Sequence, residues 1–222
     1  MEWKMKKINL LIGLMAVLAI NFLQPVFADE QIKYSAGLFA GYYNTSSSNF
    51  NDVDASFETA MVFGGAVSYH FTPRYSIELW TTKYTTDMSL SFDDKNAKLG
   101  ELDQTPILLT GRFQFPIRKS NADIYLGAGV GYAFNDFKQV NHSDLDDFFA
   151  VNLETKQMDD CIIWALNVGA EMRIKKNYAL FVDLKTIFSE PSFDVIFEDG
   201  TASGKNVGLN ASVFSFGFKY LF

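Results

Sequence analysis

The 222-residue chain contains one cysteine, two histidines and five prolines. A single thiol excludes an intramolecular disulfide framework and a Cys-based zinc site, and two imidazoles leave little for His-based metal or nucleophile chemistry. Basic side chains are outnumbered 19 to 26, giving a formal charge of −7 and an isoelectric point near 4.8. That balance argues against a nucleic-acid partner. Mean hydropathy is only +0.02, too low for a bundle of membrane-spanning helices. What the chain does have is aromatics, 16% of all residues, with 22 Phe and 10 Tyr. Acidic, aromatic-rich and nearly neutral in hydropathy is the composition of a β-sheet whose apolar face meets lipid.

The one long apolar run is Leu10–Ile20. It follows Lys4, Lys6 and Lys7 and precedes Gln24-Pro25 and Val26-Phe27-Ala28. This is the layout of a secretory signal peptide, with cleavage expected after Ala28. Eleven residues span about 16 Å as a helix, half of a hydrocarbon core of about 30 Å, so the run is a poor anchor. The expected organisation is residues 1–28 as signal and 29–222 as one exported domain. Cys161 then reads as a packing residue.

Beyond Ala28 the apolar residues alternate. Eight period-2 runs are legible: Lys33–Tyr43, Thr59–Phe71, Tyr75–Asp87, Thr105–Phe115, Ala122–Asn135, Cys161–Lys175, Tyr178–Phe188 and Val207–Phe222. The connections alternate in length. Thr72–Arg74, Pro116–Asn121 and Lys176-Asn177 are short, whereas Asn44–Glu58, Met88–Gln104, Asp136–Asp160 and Ser189–Asn206 are long. Short turns at one end and long loops at the other is the plan of an eight-stranded antiparallel outer-membrane β-barrel, with both termini on the periplasmic side.

The two faces of the runs differ. One carries residues such as Leu126, Val130, Trp164, Leu166, Leu180 and Val182. The other carries small residues and eight charges: Glu78, Arg112, Asp123, Glu171, Arg173, Asp183, Lys185 and Lys219. A basic side chain facing lipid at the bilayer midplane costs about 2–4 kcal/mol, so the charged face is expected to line the lumen. Four acids and four bases are expected to form a paired charged floor in the periplasmic half. Above it, Trp80, Tyr84, Leu108 and Ile163 are expected to give an apolar outer half. The last run alternates Phe214, Phe216, Phe218, Tyr220 and Phe222. Its end, Phe218, Tyr220 and Phe222, resembles the signature by which barrel-assembly machinery recognises its clients.

The long loops are net acidic, which suits either a solvated rim or divalent cations bridging lipopolysaccharide. In the third, Ser143 before Asp144, Asp146 and Asp147 suggests a short capped helix. Its Leu145, Phe148, Phe149 and Leu153 are suited to covering the barrel mouth.

The chain resembles the OmpW family of small outer-membrane barrels. The resemblance rests on Phe71–Leu79, with its turn and inward Glu78, and on Leu99-Gly100-Glu101 leading to Pro106–Leu109. It rests also on Tyr125–Tyr132 with its Gly-Ala-Gly core, and on Val213–Phe216 with Tyr220–Phe222. Ile107 stands where the family has a second proline. The positions of Trp80 and Ile162 line an apolar pocket in the family, and the resemblance implies that both belong to the lumen pocket here, apolar still but changed in shape. What the resemblance implies is a passive channel for small hydrophobic molecules entering from outside, with lateral release into the membrane. The alternative is a plugged structural or surface-interaction barrel of the OmpX or OmpA type, whose loops bind a host, phage or bacteriocin. No catalytic set, cofactor, metal or nucleic acid is expected; the expected surroundings are outer-membrane lipids and lipopolysaccharide.

Overall fold

The computed structural model describes residues 33–46, 48–50, 53–92, 95–117, 120–139, 153–197, 202–206 and 208–222. The expected signal segment lies outside these residues, as does residue 143–152 of the expected loop helix; Leu153 begins a strand instead. In chain order the strands are β1 (Tyr34–Thr45), β2 (Ser48–Phe50), β3 (Val53–Phe57), β4 (Ala60–His70), β5 (Tyr75–Phe92), β6 (Lys95–Pro116) and β7 (Ala122–Gln139). They continue with β8 (Leu153–Met158), β9 (Cys161–Lys175), β10 (Tyr178–Ser189), β11 (Ser192–Phe197), β12 (Ala202–Asn206) and β13 (Ala211–Leu221).

Eight of these close a barrel. The neighbours run β1-β4-β5-β6-β7-β9-β10-β13, and β13 pairs back onto β1, every pair antiparallel. Closure is what lipid demands: acyl chains offer no hydrogen bonds, so no strand edge can face them. The eight alternating runs each correspond to one barrel strand. The short connections are as expected, down to the turn at Lys176-Asn177.

The long connections differ from expectation. Met88–Gln104 is not a loop. β5 and β6 continue as a paired ribbon to Phe92 and Lys95, with a register shift between Met88 and Ser89. β2 and β3 extend this ribbon, while β8, β11 and β12 form a separate three-stranded sheet. Alternation is present here only in short pieces, as in Val53–Phe57 and Met88–Phe92, too brief to mark spanning strands in the sequence. Polar pairs fasten the ribbon. Lys98 lies 2.6 Å from Asp87, and Lys138 lies 2.7 Å from Asp103, which also accepts the Thr85 hydroxyl. Partial burial opposes ionisation of Asp103, but those two hydrogen bonds outweigh it and hold the carboxyl below its ordinary range.

Along the spanning stretches, Leu126, Leu109, Leu166, Val182 and Phe216 point outward and are exposed, with residues of the opposite register buried inside. Outward aromatics gather at the short-turn end in edge-to-face chains, Tyr69–Phe71, Tyr75–Phe113–Phe115 and Tyr178–Tyr220–Phe222. Such a girdle sits at the membrane interface. Val182→Arg, midway along β10, is expected to lower the unfolding free energy in liposomes by about 2–4 kcal/mol. Lys98→Ala, in the ribbon above the membrane, is expected to change it by less than about 0.5 kcal/mol.

Candidate functional site

The strand register stacks the lumen in layers. The lowest is ionic. Glu78 on β5 receives Arg112 of β6, the Lys219 ammonium of β13 at 3.3 Å and the Ser68 hydroxyl of β4 at 3.3 Å. Lys219 also lies 3.1 Å from Glu171 on β9. The Arg112 guanidinium stacks 3.5 Å above the Tyr125 ring, and Lys219 lies 4.8 Å from the Phe181 ring. These charges are almost wholly removed from solvent: Glu78, Arg112, Glu171 and Lys219 are each at most 4% exposed. Buried charges persist only when paired and hydrogen-bonded, and here each acid is clasped by a cation from another strand.

Asp183 and Lys185 sit one step higher on β10. Asp183 accepts the Tyr125 hydroxyl at 2.9 Å and the Asn167 amide at 2.8 Å, both on Oδ2. Lys185 Nζ lies 3.3 Å from Asp183 Oδ1 and 5.3 Å from the Trp80 ring. Two of the eight expected floor charges stand apart. Asp123 is half-buried and Arg173 is exposed at the short-turn mouth, and neither joins an ion pair among the described residues. At the rim water solvates a charge well enough that no partner is needed.

Above the ions lies an apolar compartment. Phe39, Trp80, Leu108, Ile163, Ala165 and Val213 form one buried cluster with Tyr43, Val62, Tyr84 and Phe181. Phe39 and Trp80 stack with centroids 5.4 Å apart. Ile162 does not belong here. It is 63% exposed on the outer face beside Trp164, so strand alternation overrides the position that resemblance suggests. Its neighbour Ile163 points inward with no exposed surface.

A polar cap closes the compartment from above. Tyr43 and Tyr84 stack at 3.7 Å, and both hydroxyls donate to the Gln104 carbonyl. The Gln104 amide donates to Asn135 at 2.6 Å, and Asn135 reaches the Asp159 carbonyl at 2.7 Å. Over this cap pack Leu102, Met158 and Leu209 with Phe57 and Phe137. Tyr43, Gln104 and Asn135 carry the cap, yet sequence alone marks only Tyr84 of the set. Tyr43 shares the inward register of Phe39, a signal that was available. Gln104 sits in the segment that alternation leaves as loop, so nothing local reveals its role.

The wall beside the compartment has a seam. Pairing of β5 with β6 passes from Trp80↔Leu108 and Thr81↔Ile107 directly to Tyr84↔Gln104, skipping Thr82, Lys83, Thr105 and Pro106. On its other side β6 pairs with β7 without a break, through Pro106↔Ala133. Pro106 explains the asymmetry. Its carbonyl faces β5, where it accepts the Thr81 hydroxyl at 2.9 Å. In an antiparallel strand the N–H of a residue points the same way as its carbonyl, and proline has none.

The sequence profile of the OmpW family matches residues 37–222. Solved structures share the architecture. The outer membrane protein OprG from Pseudomonas aeruginosa superposes with a TM-score of 0.68 at 14% identity, over 88% of this chain and 99% of that one. AlkL, solved in lipid bilayers, gives 0.61 at 14% identity, over 90% and 95%. The E. coli outer membrane protein W gives 0.51 at 16% identity, over 88% and 100%. At these identities the likeness is one of fold. None of the curated proteins compared matches the chain at a significant level.

Removing one carboxylate tests the floor. Glu78→Gln takes the carboxylate from Arg112 and leaves Lys219 with Glu171 alone, and it is expected to cost about 3–5 kcal/mol of unfolding free energy in liposomes. Asp123→Asn, at the wet rim, is expected to cost less than about 1 kcal/mol.

Proposed function

Because the chain belongs to the OmpW family of outer-membrane barrels, we propose that it admits small hydrophobic molecules at its long-loop end and releases them sideways through the barrel wall. The observation that carries this reading is adjacency. The apolar cluster lies directly behind the β5–β6 seam, with Trp80 and Leu108 immediately below the skipped pairs and Tyr84 and Gln104 immediately above.

The physics follows from the layers. An eight-stranded interior is just wide enough for its own side chains, so a solute passes only where side chains part easily. The floor does not part easily. Opening it would separate Glu78 from Arg112 and Lys219 in a low-dielectric interior, where removing one partner of such a pair costs about 3–5 kcal/mol. At the seam two residue pairs drop out of the ladder, Pro106 has no N–H to give β5, and the Thr81 hydroxyl on the Pro106 carbonyl bridges the strands there; the seam faces acyl chains that dissolve the solute. An apolar molecule in the compartment therefore meets a high barrier downward and a low one sideways. Entry from above asks Tyr43 and Tyr84 to unstack and Gln104 to release their hydroxyls, which are neutral hydrogen bonds of about 1 kcal/mol each.

A reversible staple across the seam tests the exit. Lys83→Cys with Thr105→Cys, an outward-facing pair at the gap, is made in a Cys161→Ala background. Oxidation is expected to slow uptake of an apolar dye into membranes at least fivefold, with recovery on reduction. Uptake indifferent to the staple overturns the lateral route. Steady ionic conductance through the unstapled protein, unaffected by apolar solutes, overturns the sealed floor.

A further inference from the structure

Between the ionic floor and the apolar compartment lies a sector of four neighbouring strands whose buried polar groups are incompletely used. Among the described residues, Thr110 Oγ1 on β6, Asn167 Oδ1 on β9, and Asp183 Oδ1 and Lys185 Nζ on β10 are buried without a hydrogen-bond partner. The register gathers them. Thr110 pairs with Gly129, Gly127 with Asn167, and Asn167 with Lys185. Of the three buried cations, Arg112 and Lys219 both donate to carboxylates, whereas Lys185, 1% exposed, only ion-pairs with Asp183 Oδ1 at 3.3 Å and makes no hydrogen bond there, which leaves its N–H groups and that oxygen able to serve a third group.

Two glycines on β7 let these groups lie against the backbone. A Cβ on Gly127 would stand 2.2 Å from Asn167 Oδ1, and one on Gly129 would stand 2.6 Å from Thr110 Oγ1. Any other residue would push the polar atoms away from the wall. The result is a polar shelf at the foot of an apolar chamber, next to the Trp80 ring.

The chemistry of the shelf selects its ligand. A buried donor and two buried acceptors left unmade cost about 1–3 kcal/mol apiece, so a ligand head that serves both kinds gains most. The surrounding charges are balanced, with Glu78, Glu171 and Asp183 against Arg112, Lys185 and Lys219. A carboxylate head would break that balance and face Asp183 Oδ1. A hydrocarbon has no head at all. A hydroxyl accepts from Lys185, donates to Asp183 or Asn167, and brings no charge. We propose that the Thr110–Asn167–Asp183–Lys185 shelf seats the hydroxyl of a small apolar alcohol, aliphatic or phenolic, with its carbon body in the Phe39–Trp80–Leu108 compartment. This rests on the reading of that compartment as a solute chamber and names the solute's class.

Trp80 reports on occupancy, since its ring lies 5.3 Å from Lys185 Nζ. The protein carries Trp164→Phe, removing the outward-facing tryptophan, and sits in nanodiscs; Trp3 lies in the segment read as the export signal. A medium-chain bromoalcohol, the matching bromoalkane and the matching bromo-carboxylic acid are titrated as fluorescence quenchers. The alcohol is expected to half-saturate at about one tenth of the alkane concentration, a difference of about 1.4 kcal/mol. Lys185→Met is expected to erase that preference, and Thr110→Val to reduce it about threefold, while alkane quenching persists in both. Equal affinity for alcohol and alkane overturns the shelf but leaves the chamber standing. So does a preference that survives both substitutions, and so does an acid that binds more tightly than the alcohol. Quenching by none of the three overturns the chamber itself, and the shelf with it.

Discussion

Acyl chains can neither accept nor donate a hydrogen bond, and the whole molecule is arranged around that fact. The backbone answers by closing on itself, β13 onto β1, so that no edge is left in the membrane. The side chains answer by sorting. The register turned outward holds residues that lipid tolerates, and every ion that the spanning strands carry deep in the wall is turned inward, where it must find an opposite charge in a space with little water. The ionic floor is thus a product of sorting as much as a device in its own right. Once six charges are confined in a narrow interior, the arrangement of low energy is the one in which Glu78, Glu171 and Asp183 neighbour Arg112, Lys219 and Lys185.

The remainder of the interior divides along the same line. Ions at one end leave the other end to Phe39, Trp80, Leu108, Ile163 and Val213, and the polar groups that cap this region are neutral amides and phenols rather than charges. The two boundaries of the chamber therefore differ in strength. The lower one is held by charge in a low dielectric, the upper one by stacking and ordinary hydrogen bonds. The side wall lapses on both flanks of β5: two pairs are skipped against β6, and Ala60–Val62 go unpaired with Tyr84–Thr86 while β4 stays paired to β1.

Much of this was legible in the sequence. The barrel was readable because lipid imposes a strict period of two on each spanning run, and because the turns and loops differ in length. Sidedness placed Glu78, Arg112, Glu171 and Lys219 on one face before any contact was known. What escaped reading has a physical cause in each case. The ribbon of β5 and β6 beyond Met88 alternates on one arm only, over Met88–Phe92, and the register shift beside Met88 breaks the period on the other, so the hairpin reads as loop. Gln104 lies in that ribbon's lower part, and its partners Tyr43 and Asn135 are 61 and 31 residues away in the chain. Arg173 shares its register with Glu171, yet two residues nearer the mouth suffices to return it to solvent. Ile162 shows the opposite: alternation was right, and analogy of position was misleading. The shelf could not be read at all, because an unused donor is a statement about geometry and not about residue type.

Pro106 makes the wall's weak line a matter of covalent structure. No rotamer change, ligand or lipid can supply a hydrogen atom that an imino nitrogen does not carry. The discontinuity is consequently present in every copy at every moment, and its position around the circumference is encoded by a single codon. Shifting that codon to another strand would carry the missing donor to a different stretch of the circumference while the ionic interior stayed as it is.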